Sequence, residues 1–178
     1  VTPTENTTIA GTYARSRAKV AYADRMMDGS KFDRDAWNIR FTQRNLTPWF
    51  SELELRYGKS EIDHVMDTYS LRTIYNPAGK QIKNANNPKR NTDTGRLKAT
   101  FDWDNLNLQT GLDYLDDVHV ARHERGGDGY SHKPYMPNQS FKQWGIFTEA
   151  SWQQTDNQRW VAGFRHDQVK AHSDTARV

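Results

Sequence analysis

Over most of this chain apolar residues return at every second position. Trp37, Ile39 and Phe41 alternate with Asn38, Arg40 and Thr42, and Leu53, Leu55 and Tyr57 alternate with Glu52, Glu54 and Arg56. Leu97, Ala99, Phe101 and Trp103 stand against Arg96, Lys98 and Asp102. Leu106, Leu108, Leu112 and Tyr114 oppose Asn107, Gln109 and Asp113. Two further runs follow, around Trp144, Ile146, Ala150 and Trp152 and around Trp160, Ala162 and Phe164. Near the start, Ala14, Ser16, Ala18, Val20 and Tyr22 share one face, and Arg15, Arg17 and Lys19 share the other. A period of two means strands, with one apolar face and one charged face. The pattern predicts about seven of them.

The connections have a rhythm. A turn at 26–30 is followed by a short one at 45–48, where Pro48 ends the run. Residues 67–93 read as a loop, with Asn76-Pro77-Ala78-Gly79 and Asn86-Asn87-Pro88. Asp104-Asn105 is a tight turn. A second long loop holds Gly126-Gly127-Asp128-Gly129 and residues 134–137, and a turn at 155–157 closes the series. Long loops alternating with short turns mark outer-membrane barrels, whose loops are extracellular and whose turns are periplasmic. Composition agrees. Only 35% of residues are hydrophobic and mean hydropathy is -1.00, which leaves little for a dry core. Yet 12% are aromatic, too many for a disordered chain. Trp49, Trp103, Trp152 and Trp160 sit near turn ends, as an interfacial girdle requires. The expected fold is all-β: part of an antiparallel transmembrane β-barrel. The competing class is a soluble carbohydrate-binding or adhesive module that uses exposed Trp and Tyr as stacking platforms.

Several functions are excluded or disfavoured. Without cysteine there is no disulfide, zinc ribbon or thiol catalysis within these residues. Basic and acidic residues are interleaved and the net charge is only +3, so nucleic acid is a poor partner. Asp116 and Asp117 are adjacent and face opposite ways on a strand, so they make a poor acid/base pair. No phosphate loop or nucleophile triad stands out, and no enzyme is expected. There is no hydrophobic N-terminal segment, so an outer-membrane reading implies a mature chain or a piece of one.

One spacing suits chemistry. His64 and Met66 are two apart, hence on one strand face roughly 7 Å from each other. Imidazole and thioether together suit a soft metal, above all Cu(I). The plain alternative is a solvated histidine beside a gap-filling methionine. If odd positions from Leu53 face lipid, then Arg56, Ser60, Ile62, His64 and Met66 face the lumen, unless a bulge at Gly58 reverses the order. His119 and His123 also share a strand face. They, together with Met26, Met27 and Met136 in loops, are further soft-metal candidates whose plainer reading is a solvated loop.

Particular strings resemble the barrel of TonB-dependent outer-membrane copper receptors. They are Ala23-Asp24-Arg25-Met26-Met27-Asp28-Gly29-Ser30-Lys31-Phe32-Asp33-Arg34, Asp63-His64-Val65-Met66-Asp67-Thr68-Tyr69-Ser70-Leu71-Arg72 and Thr92-Asp93-Thr94-Gly95-Arg96. Trp144-Gly145-Ile146-Phe147-Thr148-Glu149 and Trp160-Val161-Ala162-Gly163-Phe164-Arg165 continue the likeness. The resemblance implies a plug domain inside a barrel of about 22 strands, and a periplasmic TonB complex that pulls on the plug. It also implies a copper site that joins a barrel His-x-Met to a Cys-x-x-x-Met pair from the plug. The barrel half maps onto His64 and Met66; the plug half and the TonB box have no counterpart here. Residues 1–178 would then be a single partial barrel domain, in contact with outer-membrane lipid and with the parent protein's own plug. The cargo would be copper, as Cu(I); a ferric siderophore or other chelate is the alternative within this fold. A barrel piece is expected to need detergent to stay dispersed, whereas a soluble module stays monomeric in plain buffer; sedimentation in both conditions separates the two.

Overall fold

The computed structural model describes residues 1–136 and 139–174; Pro137, counted above in the second long loop, lies outside them. It contains seven strands: β1 (Thr7–Val20), β2 (Asp28–Arg44), β3 (Phe50–Asp67), β4 (Asn84–Trp103), β5 (Leu106–Arg125), β6 (Gln139–Thr155) and β7 (Gln158–Ser173). Each pairs antiparallel with its sequence neighbours in one sheet, in the order β1 to β7. Among the described residues the only helical element is a single 3-10 turn, Tyr130–His132.

The register gathers the apolar residues into one band. Phe41 lies opposite Leu55, Leu55 opposite Leu97, Leu97 opposite Leu112, and Leu112 opposite Ile146. One row of aliphatic and aromatic side chains therefore crosses five strands on one face. Among the described residues no second sheet covers it. Ile39, Leu55, Leu112, Trp144 and Phe164 are between 45% and 60% exposed. A contiguous apolar face of this kind is not left open to water, and it argues against the soluble carbohydrate-binding or adhesive module. The other face is ionic. Arg96 reaches Asp113 at 2.6 Å, and Arg165 from β7 reaches the same carboxylate at 2.7 Å. Arg56 pairs with the buried Glu54 at 2.7 Å. This is a wall of a transmembrane β-barrel, lipid on one side and a polar lumen on the other.

Short turns and aromatic residues close the inner end. Asn45 takes the left-handed conformation, φ 53°, which asparagine tolerates better than most residues. The Thr47 hydroxyl then accepts the Phe50 N–H at 2.9 Å. Trp49 stacks on Phe101 at 5.9 Å, Trp103 stacks on Phe101 at 6.0 Å, and Trp152 lies opposite Trp160. The four predicted girdle tryptophans thus all flank the short turns.

Three expectations are corrected. Arg15, Arg17 and Lys19 follow the pattern of lumen charges, but Tyr13 pairs with Trp37 and so fixes the odd residues of β1 on the apolar-band face. Arg17 meets Asp35 at 2.6 Å and Asp33 at 3.3 Å there. These residues continue the outer face beyond the lipid, where charge replaces apolar surface; on β3 the same change occurs from Tyr57 to Lys59 and Glu61. The second correction concerns residues 67–93. The loop covers 68–83, and β4 begins at Asn84. Above the lipid both faces of a strand are wet, so 84–93 lacks alternation; pairing with β5, from Asn84 with Arg125 to Asp93 with Asp116, holds it extended. Likewise β2 begins inside the predicted 26–30 turn, at Asp28.

Leu55→Arg puts a charge in the middle of the apolar band. In the full-length protein it should destabilise the barrel by about 2–4 kcal/mol in denaturant titration, whereas Arg56→Gln on the lumen face should cost less than half of that.

Candidate metal centre at the outer mouth of the barrel

β3 carries the parity of the lipid band upward without a slip. Its pairing with β4 is continuous from Glu52 with Thr100 to Asp63 with Lys89, and Gly58 sits in register opposite Asn38 and Thr94. Gly58 is glycine for a local reason. A Cβ there would lie 2.3 Å from the Asn38 carboxamide oxygen, which occupies the space on the lumen side. With no bulge, His64 and Met66 share the face of Glu54, Arg56 and Ser60. Phe32, directly opposite His64, covers the imidazole with ring centroids 4.0 Å apart. The imidazole Nε2 is buried without a hydrogen-bond partner. Burial pushes its pKa below the ordinary histidine value, against the opposing charge of Asp63. A neutral ring keeps a lone pair free for a metal.

The strand end is locked by carboxylates. Asp67 accepts hydrogen bonds from Ser30 Oγ at 2.5 Å, Ser70 Oγ at 2.6 Å, Ser70 N at 2.6 Å and Tyr69 N at 3.0 Å. Asp28 accepts from Arg72 Nε and Nη2, both at 2.7 Å, and from Tyr22 N at 2.8 Å. Both carboxylates are almost fully buried. Together they tie β2 to the first turn of the 68–83 loop, beside Met66. A third anchor is Asn87. The β3–β4 ladder has no pairs between Asp63–Lys89 and Met66–Asn86, where Pro88 lacks an N–H. The Asn87 carboxamide bridges that gap. It donates to the His64 carbonyl at 2.8 Å and to Asp63 at 2.7 Å, while its oxygen accepts from Arg122 Nε and Tyr135 OH, each at 2.8 Å.

The family model for the TonB dependent receptor-like β-barrel matches residues 2–178. The chain belongs to this family. Among solved structures it is similar to one titled "Copper transporter OprC", with a TM-score of 0.86 and 30% identity. The match covers 96% of this chain and 28% of that one. No curated protein sequence matches. The family is one of receptors and transporters, not enzymes. Asp116 and Asp117 accordingly serve ion pairs on opposite faces, with Lys142 at 2.9 Å and Arg90 at 2.7 Å.

The other candidates in this TonB-dependent receptor barrel are unevenly placed. Odd positions of β5 lie on the lumen face, so His119 and His123 share the face of His64, and His123 pairs with Asn86. Met27 and His123 line one groove of about 330 Å³ with Asn86. Met26 and Met136 are 61% and 65% exposed and join no such cluster. Among the described residues no three His, Cys, Asp or Glu side chains converge on one point. His64 and Met66 therefore form at most a half-site. Sequence reasoning missed Asp28, Asp67 and Asn87, because each looks like an ordinary polar loop residue. The one available signal was Pro88 after two asparagines, which was open to reading as a strand interruption.

Burial pushes the Asp67 carboxyl up, but the hydrogen bonds from Ser30, Ser70 and Tyr69 outweigh it and hold the pKa below the ordinary carboxylate value. The Arg72 guanidinium does the same for Asp28. A depressed native pKa stabilises above the unfolded value, and that contribution is lost as pH falls through the native one. Amide-exchange protection at Tyr69 and Ser70 is expected to persist at about pH 5 and to be lost as pH falls below the ordinary aspartate value. Asp67→Ala should abolish it at neutral pH.

Proposed function

We propose that the parent protein is an outer-membrane receptor that binds copper and imports it, and that this chain is a portion of its barrel. The observation that carries the reading is the pair at the top of β3: a thioether and a neutral, partly enclosed imidazole on one lumen-directed face. The similar structure titled as a copper transporter supports the choice of cargo. Sulfur and imidazole bind Cu(I) well and hard cations poorly. Two ligands leave such an ion under-coordinated, so the remaining donors come from the plug that the family implies. Copper entering between the long loops meets His64 and Met66 first. Movement inward then follows when the TonB complex displaces the plug and with it the other half of the ligand set. Lipid of the outer membrane surrounds the apolar band.

In the full-length receptor, Met66→Ala and His64→Ala should each weaken copper binding at least about tenfold, the lower bound for disturbing even a supporting residue of a metal site. Both variants should retain the folded barrel, because neither side chain contributes to the strand ladder. Metal analysis after gel filtration reads occupancy directly. Full occupancy in both variants would overturn the site; preferential uptake of a ferric chelate by the wild type would overturn the cargo.

A further inference from the structure

We propose that Asn86 orients His64 for metal binding, its carboxamide oxygen accepting the imidazole Nε2–H and leaving Nδ1 to face the ion; the proposal rests on the reading of His64 and Met66 as ligands. Asn86 lies directly opposite Met66 in the β3–β4 register, and so shares the lumen face with His64, its diagonal neighbour. Diagonal pairs on one sheet face are within reach of each other's side chains. Among the described residues only three buried side-chain polar atoms lack a hydrogen-bond partner: His64 Nε2, Asn86 Oδ1 and Asp116 Oδ1. The aspartate belongs to the opposite face, where its other oxygen pairs with Lys142. The remaining two are a nitrogen that can donate and an oxygen that can only accept, on neighbouring positions of one face. A buried polar group left unpaired is costly, and native structures keep few of them.

The chemistry of a ligating histidine explains the pairing. Such a residue hands its second ring N–H to an acceptor, which fixes the tautomer and the ring plane. The Asn87 oxygen and the Asp63 carboxylate belong to the opposite face of the sheet, where Arg122 and Tyr135 hold the first and Lys31, at 2.9 Å, and Asn87 hold the second. Phe32 blocks the side of the ring toward β2. Asn86 Oδ1 is the free acceptor toward β4. A role as a metal ligand fits it less well, since an amide oxygen is a hard donor and Cu(I) prefers softer ones.

The test is a double-mutant cycle in the full-length, detergent-solubilised receptor, titrated calorimetrically with Ag(I) alone as a redox-inert soft ion. Asn86→Leu should weaken Ag(I) binding by roughly 10–100-fold. The same substitution in a His64→Ala background should have no further effect, and Asn86→Asp, which keeps the acceptor, should retain affinity. Asn86→Ala replaces the leucine variant if that one fails to fold, as judged by heat-modifiable mobility. An unchanged affinity in Asn86→Leu, with Met66→Ala still weakened, overturns the orienting role and leaves the ligand pair standing. An equal loss with and without His64 also overturns it, because the asparagine then acts independently of the imidazole. Undiminished binding in His64→Ala and Met66→Ala overturns the underlying site.

Discussion

In hydrocarbon a backbone N–H or C=O has no water to turn to, so every one must be satisfied by a neighbouring strand. That requirement fixes the ladder, and the ladder fixes which way each side chain points. A one-residue slip would exchange the lipid and lumen faces of an entire strand. On β3 the ladder to β4 runs unbroken from Glu52 to Asp63, so the orientation set by Leu53 and Leu55 against lipid is transmitted to His64 at the mouth. The candidate site is thus positioned by the membrane band several residues below it.

Above the band the constraint relaxes, and the structure changes character. Water can satisfy both faces, charged pairs replace apolar rows, and the ladder tolerates a proline. On the β4 side of β3 the ladder is interrupted at His64, opposite Pro88, and on the β2 side the register shifts between Gly29 and Lys31, opposite Met66 and Val65. Asn87 compensates from one face, and Asp67 and Asp28 brace the strand end from the loop side. One such departure from regular strand chemistry falls where a functional site is proposed, as expected when local rules yield to a role. Rigid bracing also matters for binding: two ligands held in place lose less freedom on capturing an ion than two mobile ones.

The sequence was legible where lipid imposes alternation and opaque where it does not. Trp37 to Phe41, Leu53 to Tyr57 and Leu97 to Trp103 announce strands because one face must be apolar and the next residue need not be. Residues 84–93 carry no such signal, since Asn, Lys, Arg and Thr are acceptable on either side of a strand in water. β1 misleads for a related reason. Its Ala14, Ser16 and Ala18 look like an apolar face beside Arg15 and Arg17, and only the pairing of Tyr13 with Trp37 shows that the arginines lie on the outer side. His64 and Met66 were visible as a spacing. The groups that hold them were not, because a buried Asp67 or Asn87 is defined by its partners rather than by its neighbours in sequence.

The central claim is that one soft metal ion sits between His64 and Met66 on the lumen face. Anomalous diffraction at the copper edge, from crystals of the full-length receptor loaded with copper, tests it most directly. A single dominant peak within bonding distance of both the Met66 sulfur and the His64 ring is the predicted result. A copper-loaded crystal whose anomalous density lies elsewhere, with both side chains unliganded, would contradict it.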